Sequence, residues 1–137
     1  METQKIKTAV VVLNWNGKAW LEKFLANLVK HSQEATVFVA DNASTDDSVD
    51  FVKSNFPSVK IIINASNGGY AKGYNDALKQ IEAEYFVLIN SDIEVTDGWL
   101  SPIINKTTTS TCIFKFTSII IIQHFRLASS NFFITIH

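Results

Sequence analysis

Four short apolar runs, each closed by a polar knot, constrain this chain more than any other feature. Ile6 to Leu13 (IKTAVVVL) ends in Asn14-Trp15-Asn16-Gly17, and Thr36 to Ala40 (TVFVA) ends in Asp41-Asn42. Val59 to Ile63 (VKIII) ends in Asn64, and Tyr85 to Ile89 (YFVLI) ends in Asn90-Ser91-Asp92-Ile93-Glu94. Ile6 to Leu13, a nearly continuous β-branched run, reads as a strand buried on both faces, and the other three read as short strands. Helical spacing fills the intervals between them. Trp20, Leu21, Phe24, Leu25, Leu28 and Val29 predict an amphipathic helix over Lys18 to His31. A second helix carries Val49, Val52 and Phe56, is capped from Ser44 to Asp47, and stops at Pro57. A third carries Ala71, Tyr74, Ala77, Leu78 and Ile81 after the loop Asn67-Gly68-Gly69. A last helix is expected to start near Asp97, with Trp99, Leu100, Ile103 and Ile104.

This alternation predicts an α/β fold: an open, mostly parallel sheet flanked by helices. In such sheets ligands bind beyond the carboxyl ends of the strands. All four polar knots fall at that edge. One knot is a turn, and four together point to a site.

Composition removes several classes. With 137 residues, 47% of them hydrophobic and 18% charged, the chain is globular and long enough for one real core. A net charge of −1 offers no basic field for nucleic acid. Cys112 is the only cysteine, so no internal disulfide exists. The apolar stretch Ala9 to Leu13 is too short for a signal-peptide core, and no run is long enough to span a bilayer. The expected location is the cytoplasm, extending at most to the inner face of a membrane.

The acid pair Asp92-Ile93-Glu94 has two readings. A solvated turn is the commoner meaning of such a triplet. On an extended chain, however, residues two apart project to one side, and hard divalent ions share carboxylate oxygens with phosphates. In Asp41-Asn42-Ala43-Ser44-Thr45-Asp46-Asp47, helix capping explains the serine, threonine and later acids but does not require Asp41 at the strand end. An acid there could accept from the imide N–H of a nucleobase. The loop Asn67-Gly68-Gly69-Tyr70-Ala71-Lys72-Gly73 is either a plain connection or a means of bringing backbone N–H groups and Lys72 to a phosphate. It matches neither the dinucleotide-binding fingerprint nor a Walker loop. Trp15 divides evenly between stacking on a base and filling the core. The three histidines are scattered, and Cys112 has no base near it in sequence.

Taken in order, VVVLNWNG, VADNASTDDS, NGGYAKGYNDAL and FVLINSDIEVTDGWL resemble the inverting nucleotide-sugar glycosyltransferases of the family 2 type, with the Rossmann-like GT-A fold. The likeness covers Lys7 to Ile104 and is nearest the rhamnosyltransferase-type branch. It implies that Asn14, Trp15, Asn16, Asp41, Asn42 and Ser44 hold the nucleotide, and that Asn67, Gly69, Lys72 and Asn75 approach the donor. It also implies that Ser91 and Asp92 lie against the donor, and that Asp92 with Glu94 forms the D-x-D-type element that binds the diphosphate through Mn²⁺ or Mg²⁺. The implied donor is a UDP- or dTDP-type sugar, and the acceptor a hydroxyl of a saccharide or a lipid-linked molecule. In inverting members a carboxylate beyond the D-x-D element takes the acceptor's proton. Here no Asp or Glu follows Asp97, so no catalytic base is identified.

Residues 106–137 differ from residues 1–105. Thr, Ser, Ile and Phe supply 22 of these 32 positions, and the segment has no Gly, Pro or acid. Residues 1–105 are therefore expected to form the nucleotide-sugar-binding domain. Residues 106–137 are expected to be an atypical tail, a frame-shifted or truncated remnant able to form strands or to recruit a second copy of the chain. Two rival classes remain beside the transferase. One is a nucleotide-binding module that transfers nothing. The other is a metal-dependent nucleotidyltransferase, which Asn14-Trp15-Asn16-Gly17-Lys18 matches poorly.

Overall fold

A computed structural model describes residues 6–109, 118–122 and 134–136. Strands β1 (Ile6–Asn14), β2 (Thr36–Asp41), β3 (Lys60–Ile63), β4 (Ala83–Asn90), β5 (Ser118–Ile122) and β6 (Ile134–Ile136) form one sheet in the order β3-β2-β1-β4-β5-β6. All neighbours are parallel except β5 and β6. The helices are α1 (Lys18–Lys30), α2 (Ser48–Asn55), α3 (Tyr70–Leu78) and α4 (Ser101–Thr109). The α/β reading therefore holds. Residues 118–122 and 134–136, within the segment set apart on composition, extend the sheet beyond β4. Cys112 and His124 lie outside the described residues, as does most of the segment expected to bind a second copy.

Strand periodicity divides the core in two. Val10 and Val12 of β1, Val37 and Val39 of β2, and Val87 and Ile89 of β4 face Leu21, Leu25 and Leu28 of α1, Val52 of α2 and Ile103 of α4. The alternate residues Ala9, Val11, Phe38, Ala40, Phe86 and Leu88 face Tyr74 and Ala77 of α3. Both faces of β1 are thus buried, which explains a run of residues with no polar alternation. The register sets Asn14 beside Asp41 and Leu13 beside Asn90, so the strand ends finish level.

The last helix begins later than the spacing predicts. Gly98 has φ +70°, a left-handed conformation, and Trp99 N–H bonds back to the Thr96 carbonyl in a turn. Pro102 then sits in the first turn of α4, where its missing N–H costs nothing. Leu100 is fully buried ahead of the helix, so its apolar spacing reflects packing of a loop.

Candidate functional site

At the carboxyl ends of β1 and β2, a buried polar cluster forms on the α1/α2 face. Asn14 Nδ2 donates to Asp41 Oδ1 and to Ser48 Oγ, both at 2.9 Å, and stands 3.2 Å from Ser44 Oγ. Asp41 Oδ1 also accepts the Ser44 hydroxyl at 2.6 Å, and Oδ2 accepts the Ser44 N–H at 2.8 Å. Asn14 and Asp41 are each 1% exposed. Asp41 therefore lies beneath the edge surface with both oxygens engaged by its own chain. Its visible action here is to fix the loop after β2. Gly17 is required beside this cluster, because a Cβ there would stand 2.5 Å from Asn14 Oδ1.

Asn16 and Asp46 join the same two loops from above. Asn16 adopts φ +49°, in the left-handed region that asparagine tolerates. Its Oδ1 accepts the Thr45 N–H at 2.7 Å and the Asp46 N–H at 3.3 Å, and its own N–H donates to Ser44 Oγ at 2.9 Å. Asp46 accepts the first N–H of α1, from Lys18, and the first N–H of α2, from Ser48, each at 3.1 Å. One carboxylate thus caps two helices. Burial, the largest single influence, raises the Asp46 pKa. Hydrogen bonds from the Ser48 hydroxyl and from the Lys18 and Ser48 amides together outweigh it and hold the carboxyl below its ordinary value.

On the opposite face, amides link β2, β3 and α3. Asn64 Nδ2 donates to Asn42 Oδ1 at 3.1 Å and to the Gly73 carbonyl at 2.9 Å. Asn42 Nδ2 donates to Asn67 Oδ1 at 2.7 Å, and Asn67 Oδ1 also accepts the Gly69 N–H at 2.9 Å. A Cβ at Gly73 would meet the Asn42 amide at 2.9 to 3.1 Å, so this glycine lets α3 approach the strand ends. Gly69 itself has φ +84°. Lys72 lies on the exposed side of α3 and is ion-paired with Asp76. Its stem lies over Gly68, and Asn75 is exposed one position before that acid.

The acid pair stands just beyond β4. The strand ends at Asn90, Ser91 and Asp92 form a turn, and Glu94 follows on irregular backbone. Asp92 and Glu94 are nonetheless exposed, while Ile93 is half-buried and Val95 buried, so both acids project to the solvent side. Two tyrosines of α3 hold the end of β4. Tyr74 donates to the Ile89 carbonyl at 3.0 Å, and Tyr70 donates to Asn90 Oδ1 at 3.2 Å. Burial pushes the Tyr74 phenol well above its usual pKa, so it remains a donor. Trp15 is 58% exposed, which removes the core reading of this residue.

The structure thus gathers the predicted residues at one sheet edge but separates their duties. Trp15, Asn16, Asn67, Gly69, Lys72, Asn75, Asp92 and Glu94 are exposed, and Ser44 and Ser91 are half-buried. Asn14, Asp41 and Asn42 are buried supports. Sequence reasoning missed Ser48, and it placed Asn64, Gly17 and Gly73 at this edge without their supporting roles. The recurrence of asparagine at the end of β1, just after β2 and β3, and at the end of β4 was the signal available for Asn64.

A divalent cation fits this edge. Among the described residues no group of three or more His, Cys, Asp or Glu side chains converges. Mg²⁺ and Mn²⁺ held with a diphosphate need only one or two carboxylates, the other oxygens coming from phosphate and water. Asp92 and Glu94, exposed on one side of the segment, meet that requirement.

Comparison with known proteins agrees with this geometry. The model of the glycosyl transferase family 2 matches residues 9–127, past the boundary read at residue 105. The poly(ribitol-phosphate) β-N-acetylglucosaminyltransferase TarS of Staphylococcus aureus is 31% identical over 93 residues, 64% of this chain and 16% of TarS. The teichoic acid poly(glycerol phosphate) polymerase of Staphylococcus epidermidis is 24% identical over 121 residues, 74% of this chain and 17% of that enzyme. The chain thus spans about a sixth of the length of these relatives. The structure of TarS residues 1–349 with UDP-GlcNAc superposes with a TM-score of 0.63 at 29% identity, over 72% of this chain and 30% of that one. The mannosyltransferase PcManGT of Pyrobaculum calidifontis, solved with GDP-Man and Mn²⁺, shares the fold with a TM-score of 0.58 at 24% identity, over 67% of this chain and 29% of that one. Since the family model matches most of the chain, from inside β1 to beyond β5, the chain belongs to glycosyl transferase family 2.

Proposed function

We propose that this chain is the donor-binding portion of an inverting glycosyltransferase that passes a sugar from a nucleoside diphosphate to a hydroxyl acceptor. The observation that carries the reading is the exposed pair Asp92 and Glu94. It stands beyond β4 at the point where the strand order reverses, beside the Asn14–Gly17 turn. In this reading Trp15 stacks on the base, and the amides of the Asn67–Gly69 loop approach the donor. Lys72 exchanges Asp76 for a phosphate. Asn14, Asp41 and Ser44 hold the nucleotide corner in shape. Asp92 and Glu94 would hold Mn²⁺ or Mg²⁺, which when bound supplies positive charge against the leaving diphosphate. Likeness to TarS favours a UDP-type donor. The names of the curated relatives favour an acceptor hydroxyl on a polyol-phosphate polymer. The base that takes the acceptor's proton is not a carboxylate of residues 98–137, since none is present there.

Calorimetry with UDP, with and without Mn²⁺, tests this reading. Binding is expected to tighten with Mn²⁺, and Asp92→Ala and Glu94→Ala are each expected to abolish that gain. Metal-independent binding that is the same in all three proteins overturns the assignment.

A further inference from the structure

The segment that carries the acids has no regular secondary structure, yet it is laid in register along α1 and the loop that follows. The Val95 N–H donates to Asn27 Oδ1 at 2.9 Å, across 68 positions of sequence. His31 Nδ1 lies 3.6 Å from Asp97 Oδ1, Trp99 Nε1 donates to Ser32 Oγ at 3.3 Å, and the Ser101 hydroxyl donates to Glu34 at 3.1 Å. The pairs 27/95, 31/97, 32/99 and 34/101 run in the same direction along both chains. On the other side of the acids, Tyr70 and Tyr74 hold Asn90 and Ile89.

The first of these four contacts is the one that bears on the acids. Val95 is buried, and Glu94 is its immediate neighbour and exposed. Fixing the Val95 amide fixes the peptide joining it to Glu94, and with it the direction in which the Glu94 Cα–Cβ bond leaves the backbone. On the β4 side the chain is held at Ile89 and Asn90, two positions before Asp92. We infer that Asn27 of α1 is a positioning residue for the acid pair: its Oδ1 holds the Val95 amide and so sets Glu94 relative to Asp92. The inference rests on the proposed reading of those two acids as metal holders. A backbone shift at Glu94 without this anchor would move its carboxylate relative to that of Asp92, and loss of a hydrogen bond that orients a metal ligand typically weakens metal binding by 10- to 100-fold.

The test measures Mn²⁺ affinity in the presence of UDP by the electron paramagnetic resonance of free Mn²⁺. UDP affinity is measured separately in EDTA. Asn27→Leu, similar in size but without an acceptor, is expected to weaken Mn²⁺ binding about tenfold or more while leaving metal-free UDP binding unchanged. Asn27→Asp keeps an acceptor oxygen and is expected to restore most of the affinity. If Asn27→Leu does not fold, Asn27→Gln, whose amide stands one methylene further out, carries the same comparison. Mn²⁺ affinity unchanged at position 27 while Asp92→Ala abolishes it would overturn the inference alone. Equal loss of Mn²⁺ and metal-free UDP binding, without rescue by aspartate, would also overturn it, by showing a general structural role. Insensitivity of Mn²⁺ binding to Asp92→Ala and Glu94→Ala would instead overturn the reading on which it rests.

Discussion

At the scale of single residues, the strand ends are crowded with side chains that support one another rather than face solvent. Gly17 and Gly73 separate two costs. In Gly17→Ala the new methyl would stand 2.5 Å from Asn14 Oδ1, inside a cluster held by Asp41, Ser44 and Ser48. Overpacking of this kind costs about 1–3 kcal/mol. In Gly73→Ala the methyl meets the Asn42 amide at 2.9 Å or more, but alanine recovers about 0.8–1 kcal/mol of helix propensity. Urea unfolding is therefore expected to show a clear loss of midpoint for Gly17→Ala and a smaller one for Gly73→Ala. Asp46 makes a prediction in pH. Its folded pKa is depressed, so its contribution is fully present above the ordinary carboxylate pKa and is lost as the pH falls through the folded value. Wild type and Asp46→Asn should differ in melting temperature at pH 7, and the difference should shrink below about pH 4. A gap that stays constant down to pH 2 would place the cap's strength in hydrogen-bond geometry alone.

At the scale of elements, α3 acts through two phenols on the end of β4. Removing the Tyr74 hydroxyl leaves the buried Ile89 carbonyl without that donor. Tyr74→Phe should therefore cost about 1–2 kcal/mol in chemical denaturation, whereas the exposed Tyr70→Phe should cost less. A Tyr74→Phe variant as stable as wild type would show that water replaces the hydroxyl. The strands were legible because β1 and β4 are buried on both faces, and such burial writes an unbroken apolar run into the sequence. The position of the acids was legible for the same reason, since the run stops where the edge begins. α4 was misplaced because Trp99 and Leu100 pack with helical spacing from a loop turned by Gly98. The inward turn of Asp41 was not legible, because a carboxylate at a strand end looks the same in sequence whether it faces a ligand or Ser44. Asn27 carried no signal at all. It is one polar residue on an amphipathic helix, and its partner lies 68 positions away.

For the whole molecule, the strand order puts β1 in the middle of the parallel part of the sheet, between β2 and β4. Its amides are paired on both edges and covered on both faces. Hydrogen exchange should find Val10 to Val12 among the slowest amides of the described residues, exchanging only in the global opening. Lys60 to Ile63 of β3, bonded to β2 alone among the described strands, should exchange faster. Comparable rates in the two strands would mean that the sheet opens as one unit.

The same order gives the molecule a history during synthesis. β1 meets β2 after a short wait, since Ala9 pairs with Thr36, but its other edge waits for Ala83 to reach Ile6. The longer closure is entropically dearer by only about 0.9 kcal/mol, so the delay is one of time. At about 5–20 residues per second, the 47 residues that follow Thr36 up to and including Ala83 take about 2–9 s to emerge from a ribosome. For that interval a strand whose centre, Ala9 to Leu13, is wholly apolar presents a bare edge, which is the form in which nascent chains pair with one another. The polar corner at Asn14 and Asp41 is complete before Asp92 or Glu94 has been translated.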